Sequence, residues 1–215
     1  MDKEGRYNVS GLTEAQYEPG SGDKVLKNLL GIKSVEEMDR IETEKLQDTI
    51  DRLVRTYDSA HVFTAADICE IHRDWLGDIY EWPGNYRQVN VSKGTFPFAA
   101  AAQVPKLMQE FEGDVLQRHT PCDFESRERV IAALAETHAE LVLIHPFREG
   151  NGRIARVLST LMALQAGLPM LNFSTIAAGR KKEAYFVAVR AGLDRNYEPM
   201  KKIFLEIVEK SLLGF

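Results

Sequence analysis

The sequence predicts an all-α domain carrying one small β-hairpin, and three features of the chain predict it. Apolar residues recur at helical spacing through most of the 215 positions. Capping and breaking residues bracket each periodic stretch. One short segment, about 86–98, changes to alternation of apolar and polar residues.

In chain order, residues 1–22 read as an N-terminal arm, because Tyr17-Glu18-Pro19-Gly20-Ser21-Gly22 is turn and linker chemistry. Residues 23–215 read as a single domain. Ser34-Val35-Glu36-Glu37 reads as a capping box opening a long helix to about Tyr57. Thr64-Ala65-Ala66-Asp67 opens the next, with Ile68, Ile71, Trp75 and Ile79 on one stripe and Trp82-Pro83-Gly84 as its stop. Val89 and Val91 alternate with Gln88 and Asn90, Ser92-Lys93-Gly94-Thr95 reads as a turn, and Phe96-Pro97-Phe98 forms the second arm. Pro97 confines that arm to an edge. Helices resume at about Ala100–Arg118 and Arg127–Ile144, the second with Ile131, Leu134, His138, Leu141 and His145 at helical spacing. Another runs from Asn151 to Ala166 and stops at Gly167-Leu168-Pro169. The last two span about Arg180–Leu193 and Glu198–Leu213.

Bulk properties narrow the class. Apolar content of 44% supplies a core. A net charge of −5 argues against a dedicated nucleic-acid binder, which would carry a basic excess. No stretch approaches the eighteen apolar residues of a membrane span, and MDKEGRYNVS has no apolar signal region. Cys69 and Cys122 lack metal spacing and read as reduced and buried. The expectation is a cytoplasmic protein, or one delivered from there into another cell as an effector.

The chemistry concentrates in His145-Pro146-Phe147-Arg148-Glu149-Gly150-Asn151-Gly152-Arg153, followed by Arg156. Gly150 and Gly152 allow a tight turn and close approach of backbone to ligand. Asn151 suits an N-cap, and the amides after it face outward at a helix N-terminus, which carries roughly half a positive charge and binds anions. Arg153 and Arg156 stand at the wrong end of that dipole for cations, a placement that a polyphosphate would relieve. Glu149 among these cations suits Mg²⁺ shared with phosphate oxygens. His145 titrates near neutrality and can take a proton from a hydroxyl. Phe147 reads as the apolar pin of the loop, and His138 as a core histidine.

At these residues the chain resembles the Fic family, whose motif is His-x-Phe-x-(Asp/Glu)-Gly-Asn-Gly-Arg-x-x-Arg. His145, Phe147, Glu149, Gly150, Asn151, Gly152, Arg153 and Arg156 fill every defined position. The resemblance extends from about Thr64 to Lys210 and includes Trp82-Pro83-Gly84-Asn85-Tyr86-Arg87, the lead into what looks like the family's target-positioning flap. It implies a Fic-like helical bundle with a β-hairpin flap beside the active site, and transfer of AMP from ATP to a Ser, Thr or Tyr hydroxyl of a target protein. By resemblance, His145 is the general base and Glu149 ligates Mg²⁺. The amides around Asn151 and Gly152 form an anion hole. Arg153 holds the β/γ-phosphates and Arg156 completes the cradle. Phe147 and Gly150 count among the nucleotide-site positions. Tyr185 and Val189 fall near the adenine, although a core role for Tyr185 stands equally. Val89, Asn90, Val91, Lys93, Gly94 and Thr95 belong to the flap, where an exposed edge can pair with an extended target segment.

Relatives often carry an inhibitory helix of pattern Ser/Thr-x-x-x-Glu-Gly/Asn. The nearest match, Ser10-Gly11-Leu12-Thr13-Glu14-Ala15, ends in Ala15 and lies in the arm. The alternatives are constitutive competence or a small antitoxin that supplies the glutamate in trans, and the second is the reading adopted, a toxin or effector under restraint, since unrestrained modification would be toxic. Doc-type relatives have lysine in place of the second motif glycine and transfer the γ-phosphate, and this chain has Gly152 there. Transfer of another nucleotide or phosphate on the same cradle, and a non-catalytic nucleotide-binding interaction module, stay open at this point.

Overall fold

The computed structural model describes residues 11–214; residues 1–10 of the expected arm lie outside the described residues. Helices dominate, as the periodicity predicts. α1 (Val35–Thr56) begins where the Ser34 hydroxyl accepts the Glu37 amide. The expected reciprocal half of that box is replaced by a bond from Ser34 Oγ to the Glu36 carboxylate. The complete box belongs to α2 (Ala65–Leu76), where Thr64 and Asp67 cap each other. Its buried stripe is Ile68, Ile71 and Trp75, joined by His72.

The hairpin is shorter than expected. β1 (Ser92–Lys93) pairs antiparallel with β2 (Phe96–Pro97) in the register Ser92↔Pro97 and Lys93↔Phe96. Ser92 and Lys93 are thus strand, and the turn shrinks to Gly94-Thr95. Gly94 has φ 59°, which a two-residue hairpin turn requires.

The expected helix over residues 100–118 is interrupted. α3 (Val104–Phe111) follows a 3₁₀ turn and passes through a π-helical turn, Glu112–Leu116, into the single turn α4 (Gln117–His119). At the interruption Glu112 turns its carboxylate onto the Ala65 amide at 2.7 Å, serving the start of α2. α5 (Arg127–Ile144) and α6 (Asn151–Gln165) form the centre, buried along most of their lengths. α7 (Gly179–Ala191) and α8 (Glu198–Leu212) pack against α5 from the other side. Cys122 is buried as expected, whereas Cys69 is only half-buried; both are free thiols. Among the described residues no helix is long and apolar enough to cross a membrane.

Candidate active site

The six residues between α5 and α6 are held from three directions. α5 ends at His145, which adopts a left-handed backbone (φ 53°, ψ 60°) ahead of Pro146. A residue before proline is poorly placed to continue a helix. His145 therefore does not continue the apolar stripe of α5, as its spacing led us to expect; it turns off the helix end. Its Nδ1 donates to the Val142 carbonyl at 3.0 Å, which fixes the proton on that nitrogen. Nε2 keeps its lone pair, has no partner among the described residues, and belongs to a ring that borders the cleft. Phe98, just after the hairpin, stacks on the imidazole with centroids 3.5 Å apart. Burial is the main cause that lowers the His145 pKa to about 4, so the imidazole is neutral at pH 7.

Phe147 is fully buried and stacks on His72 at 3.8 Å. It pins the loop, and its assignment to the nucleotide site is corrected: it does not face the cleft. Asn151 is corrected too. The N-cap is Gly150, with φ 83°, and Asn151 is the first helical residue. The Asn151 amide reaches back, accepting from the Phe147 N–H and donating to the Phe147 carbonyl, both at 2.8 Å. It closes the loop, and of the first-turn amides Arg153 donates to the Gly150 carbonyl at 2.9 Å while those of Asn151 and Gly152 have no intrahelical acceptor. Gly150 is dictated twice. Its φ is positive, and a Cβ there would stand 2.6 Å from the Trp75 ring.

His72, which the sequence reading passed over, supports the same loop. It is fully buried; its Nδ1 accepts from the Gly84 amide at 3.0 Å and its Nε2 donates to the Glu149 carbonyl at 3.2 Å. Burial pushes its pKa down to about 3. His138 is the expected core histidine, also held to about 3 by burial. It bridges Ser159 of α6 at 3.1 Å and the Tyr185 hydroxyl of α7 at 2.9 Å. With folded pKa values below the ordinary 6.5, both histidines bind fewer protons than in the unfolded chain between about pH 3 and 6.5, so stability rises with pH there. Unfolding in urea at pH 7 and pH 5 is expected to show a loss of about 2 kcal/mol per histidine at the lower pH. A Gln replacement at His72 should remove that site's share of the slope.

The two motif arginines differ. Arg153 already has a counter-ion: its guanidinium lies 2.6 Å from Glu42 of α1, 3.7 Å from Glu149, and over the Trp75 ring. Glu42 is buried and also accepts from the Tyr80 hydroxyl at 2.8 Å. The expectation of two unpaired cations holds for Arg156 alone. Arg156 Nε donates to the Gly152 carbonyl at 3.0 Å, and no carboxylate pairs with it among the described residues. Burial lowers its pKa, with Arg153 adding to the effect and Tyr185 opposing it. The Glu149 carboxylate is half-exposed and accepts from the Gly150 amide at 3.0 Å. No cluster of three metal-ligating side chains exists among the described residues. A lone carboxylate fits an ion that draws most of its shell from phosphate oxygens and water.

These groups line a cleft of about 570 Å³, a volume suited to a nucleotide-sized ligand. Val91 and Lys93 of the flap border it, whereas Val89, Asn90, Gly94 and Thr95 do not. Val89 instead gives its carbonyl to Arg87, and Asn90 accepts the Ala101 amide. Tyr185 and Val189 line the far wall, so Tyr185 serves both the cleft and the His138 bridge. Phe96, Ile176, Lys182, Phe186 and Arg190 line it unanticipated; their only sequence signal is a place on the hairpin or α7, and for Ile176 the 3₁₀ turn Phe173–Ile176 ahead of α7. Lys93 lies over Phe186 at 4.2 Å and Arg190 over Phe96 at 5.5 Å, so two cation–π contacts bridge hairpin and α7.

Gly152 offers a clean test of the cleft. A Cβ there would meet nothing closer than Arg156 Nη2 at 4.0 Å, so protein packing does not demand glycine. Gly152→Ala is expected to fold with equal or higher stability, by up to about 1 kcal/mol of helix propensity. It should weaken nucleotide binding, because its methyl group enters the space above the first-turn amides. Thermal unfolding with titration calorimetry checks both halves.

The profile of the Fic/DOC family matches residues 62–163. The chain is 32% identical over 161 residues to Protein adenylyltransferase VbhT of Bartonella schoenbuchensis, covering 73% of this chain and 32% of that protein, so it spans about a third of that relative's length. It is 30% identical to "Probable protein adenylyltransferase y4lH" of Sinorhizobium fredii, over 68% of this chain and 74% of that one. Among solved structures, the N-terminal Fic domain of a VirB-translocated Bep effector from Bartonella quintana, with bound ADP, superposes with TM-score 0.70 at 25% identity, covering 93% of this chain and 98% of that one.

Proposed function

The chain belongs to the Fic/DOC family, and from that premise we propose that it is a protein adenylyltransferase, moving AMP from ATP to a Ser, Thr or Tyr hydroxyl of another protein. One observation carries the reading most: a neutral His145, its Nε2 without a partner among the described residues, stands at the edge of a cleft whose floor is a helix N-terminus and an Arg156 that pairs with no carboxylate among those residues. His145 Nε2 takes the proton of the target hydroxyl. The oxygen then bonds to the α-phosphorus, the bond from that phosphorus to the bridging oxygen breaks, and pyrophosphate leaves. Such transfer needs positioning and charge neutralisation more than covalent help. The Asn151 and Gly152 amides, Arg153 and Arg156 hold the phosphates, and Tyr185 and Val189 border the adenine. Glu149 would hold Mg²⁺, which supplies neutralising charge on the phosphate oxygens when bound.

Lysate incubated with α-labelled ATP and the purified protein should acquire protein-bound label, and γ-labelled ATP should give none above that of lysate alone. Label from the γ-position alone would replace this reading by phosphoryl transfer. Glu149→Gln should raise the magnesium concentration needed for half-maximal transfer by about tenfold, on the scale of one lost charge-assisted contact. Restraint is proposed to come from a separate antitoxin. Glu14, the nearest acid to the inhibitory pattern, is buried with its carboxylate on the Gln88 amide at 2.6 Å and makes no ion pair with Arg156.

A further inference from the structure

Arg87 is almost wholly buried, at 2% exposure, and forms no ion pair among the described residues. Desolvating a guanidinium is costly unless its donors are used. Here they are used on backbone carbonyls from two places. Nε donates to the His145 carbonyl at 2.6 Å, and Nη2 also reaches Ile144 at 3.4 Å. Nη1 donates to Val89 at 2.9 Å, before β1, and Nη2 to Ala99 at 2.5 Å, after β2. The Arg87 amide adds a bond to the Pro146 carbonyl at 2.9 Å. One side chain therefore ties both feet of the hairpin to the backbone of the histidine. Two register pairs make a hairpin too short to hold its own position. The Gln88 amide, next in sequence, is fixed by the buried Glu14 carboxylate, so the junction is closed from the N-terminal side as well.

We propose that Arg87 is a positioning residue that sets the distance between the docking hairpin and His145, so that a target segment laid along the hairpin presents its hydroxyl to Nε2. The inference rests on the proposed adenylyl transfer and on docking at the hairpin. Lysine cannot reproduce it, because a single ammonium does not reach carbonyls on both sides in fixed geometry.

The test compares Arg87→Met, which fills the volume, with Arg87→Lys, which keeps the charge. Three quantities are read in each: hydrogen exchange at Phe98 and Ala101, whose amides bond to Val91 and Asn90; ATP affinity by calorimetry; and label transfer from α-labelled ATP into the most strongly labelled lysate band. The expected result is exchange at least tenfold faster and ATP affinity within about threefold of wild type. Transfer should fall about 100-fold in the Met variant, as for a misplaced reacting group, and less in the Lys variant. Wild-type transfer by a folded variant overturns the proposal. So does unchanged exchange at Phe98, or a loss of transfer matched by an equal loss of ATP affinity. If the Met variant does not fold, the Lys variant decides by the same readings. A wild-type protein that labels nothing sinks the adenylyl-transfer reading instead, while the exchange data still judge the anchoring.

Discussion

Replacing His145 with alanine is expected to lower AMP transfer by about 10²–10⁴-fold while ATP still binds. The imidazole holds its proton on Nδ1 against the Val142 carbonyl, and burial keeps it neutral, so Nε2 is ready to accept a proton at any pH well above about 4. Loss of the ring removes that acceptor without touching the phosphate-binding amides or Arg156. Labelling with α-labelled ATP, run beside calorimetry on the same preparation, separates the two effects. The wild-type rate should be flat from about pH 6 to 8 and decline only towards the acid side, since protonation of Nε2 abolishes the base. Equal labelling by the alanine variant would remove His145 from the mechanism.

Arg156→Gln is expected to weaken ATP binding by about 10–100-fold, the worth of a charge-assisted contact to phosphate. It should also raise the stability of the ligand-free protein. Arg156 is a largely buried cation with no carboxylate partner among the described residues, at the helix end where positive charge is least welcome. Arg153→Gln should behave in the opposite way towards stability, because it strands the buried Glu42 carboxylate. Thermal midpoints with and without ATP should therefore move in opposite directions for Arg156→Gln. A ligand-free midpoint that falls would mean that the apo cleft is satisfied in some other way.

The cradle is legible in the sequence because its parts are local. Two glycines, an asparagine and the arginines at helical spacing dictate a loop feeding a helix N-terminus, whatever the rest of the chain does. The helices are legible for the same reason, from spacing and caps. What stays hidden comes from far along the chain. Nothing in α1 marks Glu42 as the partner of Arg153, and nothing in α2 separates His72 from its apolar neighbours. Arg87 stands in a segment noted only as the approach to the hairpin, yet tertiary folding engages four carbonyls with it. The hairpin turn is shorter than composition implies, because Ser92 and Lys93 suit turns by residue type while the backbone at Gly94 decides where the chain reverses. Asn151 resembles an N-cap by position, but Gly150 takes that place and frees the amide to close the loop.

The contact between Gly150 and the Trp75 ring has a genetic corollary. The room that the indole occupies is the room a methyl group would need, so bulk at 150 demands a smaller side chain at 75. Even then the positive φ at 150 keeps glycine favoured, so a lineage diverging from this chain can change 75 while holding Gly150. A shrunken ring at 75 would in turn leave Arg153 without its aromatic seat, so such a lineage would inherit an altered phosphate grip along with its new spacing.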